Sequence, residues 1–148
     1  MRVLFIVDDH VSKDSDGEIT ADLASTRIRL ILAMKALNHF GQDAKIVANT
    51  TPRSILESPH FLNAETIVFG KIFQDYSEVA RRAKTLGKVL IVDITDDPVQ
   101  TERFGHIRKV AGLADCAIVP TAQMGAVARP WLSKGAPVVR IEDPFEAE

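Results

Sequence analysis

One cysteine among 148 residues excludes an intrachain disulfide and any metal site built from several thiolates. Glycine is scarce as well: there are eight, and none precedes Gly17. A glycine-rich turn after the first apolar run is what lets backbone approach the pyrophosphate of NAD or FAD, so its lack argues against a dinucleotide site. The Walker phosphate loop is missing too. Charge of one sign is not in excess, since 18 Lys and Arg face 20 Asp and Glu for a net charge of −2. No overall positive field is present to gather nucleic acid or an anionic membrane. Long hydrophobic runs are also wanting. Val3–Val7 meets Asp8 and Asp9 at once, too early for a membrane span or a signal peptide. The expectation is a cytoplasmic chain with no nucleic-acid partner and no transmembrane segment.

What is present is an alternation. Short β-branched runs at Val3–Val7, Lys45–Val47, Thr66–Phe69, Val89–Val92, Cys116–Val119 and Pro137–Ile141 read as strands. Between them, helical patterns run from Ser25 to Phe40, after Thr51-Pro52, from Tyr76 to Leu86, from Val99 to Leu113 and from Ala122 to Leu132. The stretch Asp8 to Ala24 reads as a polar loop. This pattern predicts an α/β fold: a Rossmann-like, doubly wound parallel sheet of about six strands with helices on both faces. The expected strand order is 3-2-1-4-5-6. Length suits a single domain over 1–148, with 142–148 as an acidic tail or the start of an interdomain linker. The runs Val3–Val7, Val89–Val92 and Ala117–Val119 leave no residue for a solvent face, so they are expected as central strands buried on both sides.

Ligands in such sheets lie beyond the carboxyl ends of the strands. That rule nominates Asp8, Asp9 and His10, then Lys71, then Asp96 and Asp97. The expected order sets the first and fourth strands side by side, which would bring Asp96 and Asp97 to Asp8 and Asp9. Paired acids after a first strand also open many receiver domains. A receiver needs a phosphoacceptor Asp after its third strand and a Lys after its fifth, where this chain has Gly70-Lys71 and Thr121. Arg27 and Arg29 stand near the start of a helix, where the helix dipole already favours anions. Two explanations are open for them: an anionic ligand, or ion pairs with the acidic loop carrying Asp14, Asp16, Glu18 and Asp22. His10, His39, His60 and His106 have no metal-ligand spacing, and no metal is expected. Cys116 lies in an apolar run and is expected as a structural thiol.

Four stretches carry a family resemblance. They are Ala24-Ser25-Thr26-Arg27-Ile28-Arg29; Thr66 to Lys71; Ala80-Arg81-Arg82-Ala83-Lys84 with Val89 to Asp97; and Ala114 to Thr121 with Pro137 to Pro144. In this order they resemble the N-terminal domain of GT-B fold, group 1 type glycosyltransferases. The resemblance implies the acceptor-side domain of a sugar-nucleotide-dependent glycosyltransferase, inactive without a C-terminal donor-binding domain. The reaction implied is transfer of a hexosyl or related unit to an acceptor hydroxyl. Asp97 or Asp96 would be the catalytic base, and Asp8, Asp9, His10, Arg27, Arg29 and Lys71 would hold the acceptor. No cofactor is expected within the chain itself. The nucleotide-sugar donor would sit in the second domain, beyond these residues, or in a partner chain. The partners implied are a sugar or glycan acceptor and that donor domain, with a homo-oligomer left open. The rival expectation is a non-catalytic binding or receiver-like signalling module using Asp8 and Asp9.

Overall fold

The computed structural model describes residues 1–95 and 105–142. Six strands, β1 (Arg2–Val7), β4 (Asp43–Ala48), β5 (Thr66–Gly70), β6 (Val89–Asp93), β7 (Cys116–Val119) and β8 (Val138–Arg140), form one sheet. All its pairings are parallel. The predicted α/β class is the observed one. The polar stretch after β1 is more than a loop: β2 (Val11–Lys13) and β3 (Ile19–Ala21) pair as an antiparallel hairpin that turns through Gly17 at φ 79°.

The strand order is β4-β1-β5-β6-β7-β8. Numbered along the chain within the sheet, this is 2-1-3-4-5-6 and corrects the expected 3-2-1-4-5-6. The reason lies in the third strand, β5, which moves from the edge to a place between β1 and β6 and leaves β4 at the edge. The expected order puts β5 at an edge, yet every residue of β5 is buried. A strand apolar on both faces needs neighbours on both sides. β4 carries exposed Asp43 and Lys45, charges that suit a solvent-facing edge. Strand order therefore reverses between β1 and β5, and β5 separates the ends of β1 and β6 that were expected to touch.

One face of the sheet is closed. Leu4, Ile6, Ile67, Phe69, Leu90, Val92, Ala117 and Val119 point into a continuous core. Over it lie α2 (Pro52–Leu56), α3 (Pro59–Asn63), α4 (Ser77–Thr85), α5 (Gly105–Ala111) and α6 (Ala122–Ala128). Thr51 caps α2 by accepting from Ser54 N, as Thr-Pro predicts. The helix predicted over 99–113 is seen as α5; residues 99–104 lie outside the described part.

The opposite face is covered over part of its width. A π-helical stretch, Thr26–Ile31, runs into α1 (Leu32–His39), and Gly41 at φ 75° ends it. Ser25, predicted as the cap, makes no capping hydrogen bond. Leu30, Ile31 and Met34 pack on Val3, Phe5, Val7 and Val68, which covers β4, β1 and β5. On this side β6 meets only the helix edge at Ile91 and Arg29 at Asp93, and among the described residues no helix lies over β7 and β8. Register puts Val68, Ile91 and Cys116 in one row, and Asp93, Ile118 and Val139 in the next. Val89 is 46% exposed, Val139 43% and Ile141 50%. The expectation for β6 and β7 is thus half corrected: they are central and parallel, but buried on one face only.

Candidate functional site

At the carboxyl edge the nominated residues are engaged within the fold. The Asp8 carboxylate accepts from Phe73 N at 2.6 Å, Gln74 N at 2.9 Å, Gln74 Nε2 at 2.9 Å and the Tyr76 hydroxyl. Asp8 N donates in turn to Lys71 O at 3.0 Å. Asp8 is a staple between β1 and the segment leading from β5 into α4, and it needs both carboxylate oxygens to be one. Tyr76 is fully buried, and its hydroxyl oxygen also lies 3.0 Å from Thr50 O, which shares the single proton given mainly to Asp8. Its burial first, and Asp8 beside it second, hold the phenol far above its ordinary pKa.

Asp9 is buried and does local work. Its Oδ1 accepts from His10 N at 2.8 Å and its Oδ2 from Leu23 N at 3.2 Å, closing the base of the hairpin. His10 is exposed and lies 3.6 Å from Asp22. Arg27 donates to Ala21 O at 2.7 Å and Asp22 O at 2.9 Å, so it ties the hairpin to the helix through backbone carbonyls. Lys71 adopts φ 48°, a left-handed conformation just past Gly70. Asp96 and Asp97 lie outside the described residues.

Arg29 has a partner that neither explanation named. It pairs with Asp93 rather than with the acidic loop. Its Nε donates to both Asp93 oxygens, at 3.1 and 2.9 Å, and Nη2 donates to Oδ1 at 2.6 Å. Nη1 donates to Ile141 O at 3.0 Å. The two side chains are 5% and 4% exposed. Gly70 makes this approach feasible, because a Cβ there would meet Leu30 Cδ1 at 2.8 Å. The helix can therefore sit close enough to the sheet for Arg29 to reach across β5 to β6. Asp93 was not among the nominated residues. The signal was available: a carboxylate closing an otherwise apolar strand must find a cation or donors once buried.

Beside this pair runs a groove of about 900 Å³. Its floor is the uncovered sheet, with Val89, Ile91, Ile118 and Ile141. Its wall is the helix flank Ile28, Leu32, Ala36 and Phe40, and Arg29 with Asp93 closes it at the carboxyl end. Leu32 is 51% and Phe40 77% exposed. Cys116 shares the row of Ile91 and is half-buried. Burial first and Asp115 second push its thiol pKa up, which keeps it protonated and a poor nucleophile near neutral pH. Such a surface offers apolar contact and almost no hydrogen-bonding groups. Among the described residues no group of His, Cys, Asp and Glu could hold a metal ion, and no helix is long and apolar enough to cross a membrane.

No family model matches the sequence, and no curated protein matches it. Among solved structures the chain is similar to a selenomethionine-labelled, microbiome-derived acarbose kinase, Mak1. That match has 13% identity and a TM-score of 0.47, and covers 92% of this chain and 68% of the kinase. The expected membership in the GT-B, group 1 glycosyltransferases is corrected here: no family model supports it. The reading as the acceptor-side domain of such a transferase is withdrawn, and with it the rival receiver-like module on Asp8 and Asp9. The acceptor and catalytic roles of Asp8, Asp9, His10, Arg27, Arg29, Lys71, Asp96 and Asp97 were implications of those readings, and they are not carried forward.

Proposed function

We propose that this chain is an assembly domain whose working surface is the open sheet face over β6, β7 and β8. The observation that carries this reading is a six-stranded parallel sheet that, among the described residues, has five helices on one side and on the other a single helix over β4, β1 and β5. Parallel sheets are covered on both faces, because their strands are apolar on both. An exposed contiguous apolar patch marks an interaction surface. The dimensions favour a helix as the covering element. Three strands at about 4.8 Å spacing leave a strip about 14 Å wide, and one helix with side chains is about 10–12 Å across. The flank of α1 supplies the second wall such a helix would pack against, at an interaxial distance of about 8–10 Å.

A dye that fluoresces on exposed apolar surface tests this directly. The dilute chain, at about 1 µM, is expected to bind ANS. Ile141→Lys and Val139→Lys, both at exposed positions, are expected to abolish most of that signal while the chain stays folded by circular dichroism. Unchanged dye binding in both variants would place the interaction surface elsewhere.

A further inference from the structure

We infer that the occupant of the open face is the α1 flank of a second copy of this chain, in a two-fold symmetric dimer. The inference rests on the assembly-domain reading and adds to it the identity of the partner. Two facing defects in the same molecule support it. Among the described residues no helix lies over β7 and β8, and only a helix edge meets β6. The helix beside it presents an unpartnered apolar stripe, Leu32, Ala36 and Phe40, at i, i+4 and i+8. Each defect is the shape and chemistry that the other lacks.

Symmetry lets one operation mend both. A two-fold axis running along the strands, at the height of the helix layer, turns one sheet over onto the other. It carries α1 of the second copy from above its own β4-β1-β5 to above β6-β7-β8 of the first. The first copy's α1 covers the partner's strip by the same operation. The two helices then lie side by side between two sheets, with Ala36 allowing close approach and Phe40 reaching the partner's strip. Such an interface is isologous and closed, so it stops at two copies.

The size of the contact sets the expected strength. The strip with its helix covers an area on the order of 500 Å² before side-chain relief is counted. Specific interfaces bury about 600–1,000 Å² per partner, so this one falls below that range, with weak and transient contacts, and a dissociation constant on the order of 100 µM is expected.

Sedimentation equilibrium of the intact chain, from about 1 µM to about 300 µM, reads the outcome. The expected result is a rise from the mass of one chain, 16.3 kDa, toward twice that mass. Phe40→Glu, on the helix flank, and Ile141→Lys, on the strip, should each weaken association by about tenfold or more. Leu62→Glu, at an exposed position on α3 and the closed side, should leave it unchanged. Alkylation of Cys116 should slow as the concentration of the unaltered chain rises, and should stay fast in Phe40→Glu. A chain of single mass throughout overturns the inference, as does a dimer that both substitutions leave intact. ANS binding separates the two levels. A monomer whose dye signal is lost in Ile141→Lys overturns the dimer and keeps the docking face. A monomer with no dye signal at all overturns both.

Discussion

The two faces of this sheet are built from the same strands and yet hold together in different ways. On the closed face, apolar side chains of every central strand interdigitate with five helices in one continuous core. On the other face, one helix packs over three strands and is pinned at its edge by a buried, bidentate ion pair, Arg29 with Asp93. The first arrangement spreads its stability over many small contacts. The second concentrates it in a few groups and leaves apolar surface unspent. A face held by concentrated polar contacts can keep its helix in place while a neighbouring strip waits for another surface.

The largest expected effect tests that concentration. Arg29→Met leaves the Asp93 carboxylate buried without its main cation, and breaking such a pair costs about 3–5 kcal/mol. The double variant Arg29→Met with Asp93→Leu removes both charges and should recover most of the loss. Urea unfolding of the three proteins measures it. Equal losses in the single and double variants would show that the pair contributes little beyond packing.

A smaller contrast comes from two adjacent residues of β6. Leu90 points into the closed face and is fully buried, while Val89 is 46% exposed on the open one. Leu90→Ala should cost about 2–4 kcal/mol. Val89→Ala should stay within about 0.5 kcal/mol at dilution, as surface substitutions do. Raising the protein concentration sharpens the comparison, since a partner covering Val89 makes its loss more costly while leaving Leu90 as it was. Matching losses at both positions would mean that the open face is covered within the single chain.

How much of this was legible in the sequence follows from the range of the interactions. The strand runs and the helices between them are local patterns, and Val3–Val7, Thr66–Phe69 and Cys116–Val119 lie within or on the observed strands. Strand order is not local, but a trace of it was present: Thr66–Phe69 has no charged residue, whereas the second run opens on Lys45, two residues after Asp43. Weighing those two would have set β4 at the edge. Asp8, Asp9 and His10 do follow β1, and Lys71 follows β5. What Asp8 does there depends on Phe73, Gln74 and Tyr76, 65 to 68 residues away, and no spacing rule joins them. The half-open face was the least legible part. An unbroken apolar strand reads the same whether a helix of its own chain or another surface covers it.

The smallest expected effect concerns the closed side and acid. The Asp75 carboxylate, just before α4, accepts from Lys109 Nζ of α5 at 2.6 Å and from Ser77 N at 2.9 Å. The Lys109 hydrogen bond first, and those from Ser77 next, hold its pKa far below the ordinary value of 3.8. A carboxylate with a depressed folded pKa binds fewer protons folded than unfolded, so stability rises with pH across the window between the two values. Its contribution is full above about pH 4 and is lost progressively as pH falls toward the depressed value. The side chain is 38% exposed, so solvent screens the pair and the contribution stays under about 1 kcal/mol. Asp75→Asn should therefore lower the urea midpoint slightly at pH 7, and that gap should narrow as pH is brought from 4 toward 2. A gap that stays constant over this range would mean that Asp75 acts through the shape of its turn and its bond to Ser77 N, which an amide oxygen can also accept. A gap that closes assigns the effect to the charge on Asp75, and so to the tie between the start of α4 and α5 in the helix layer over the closed face.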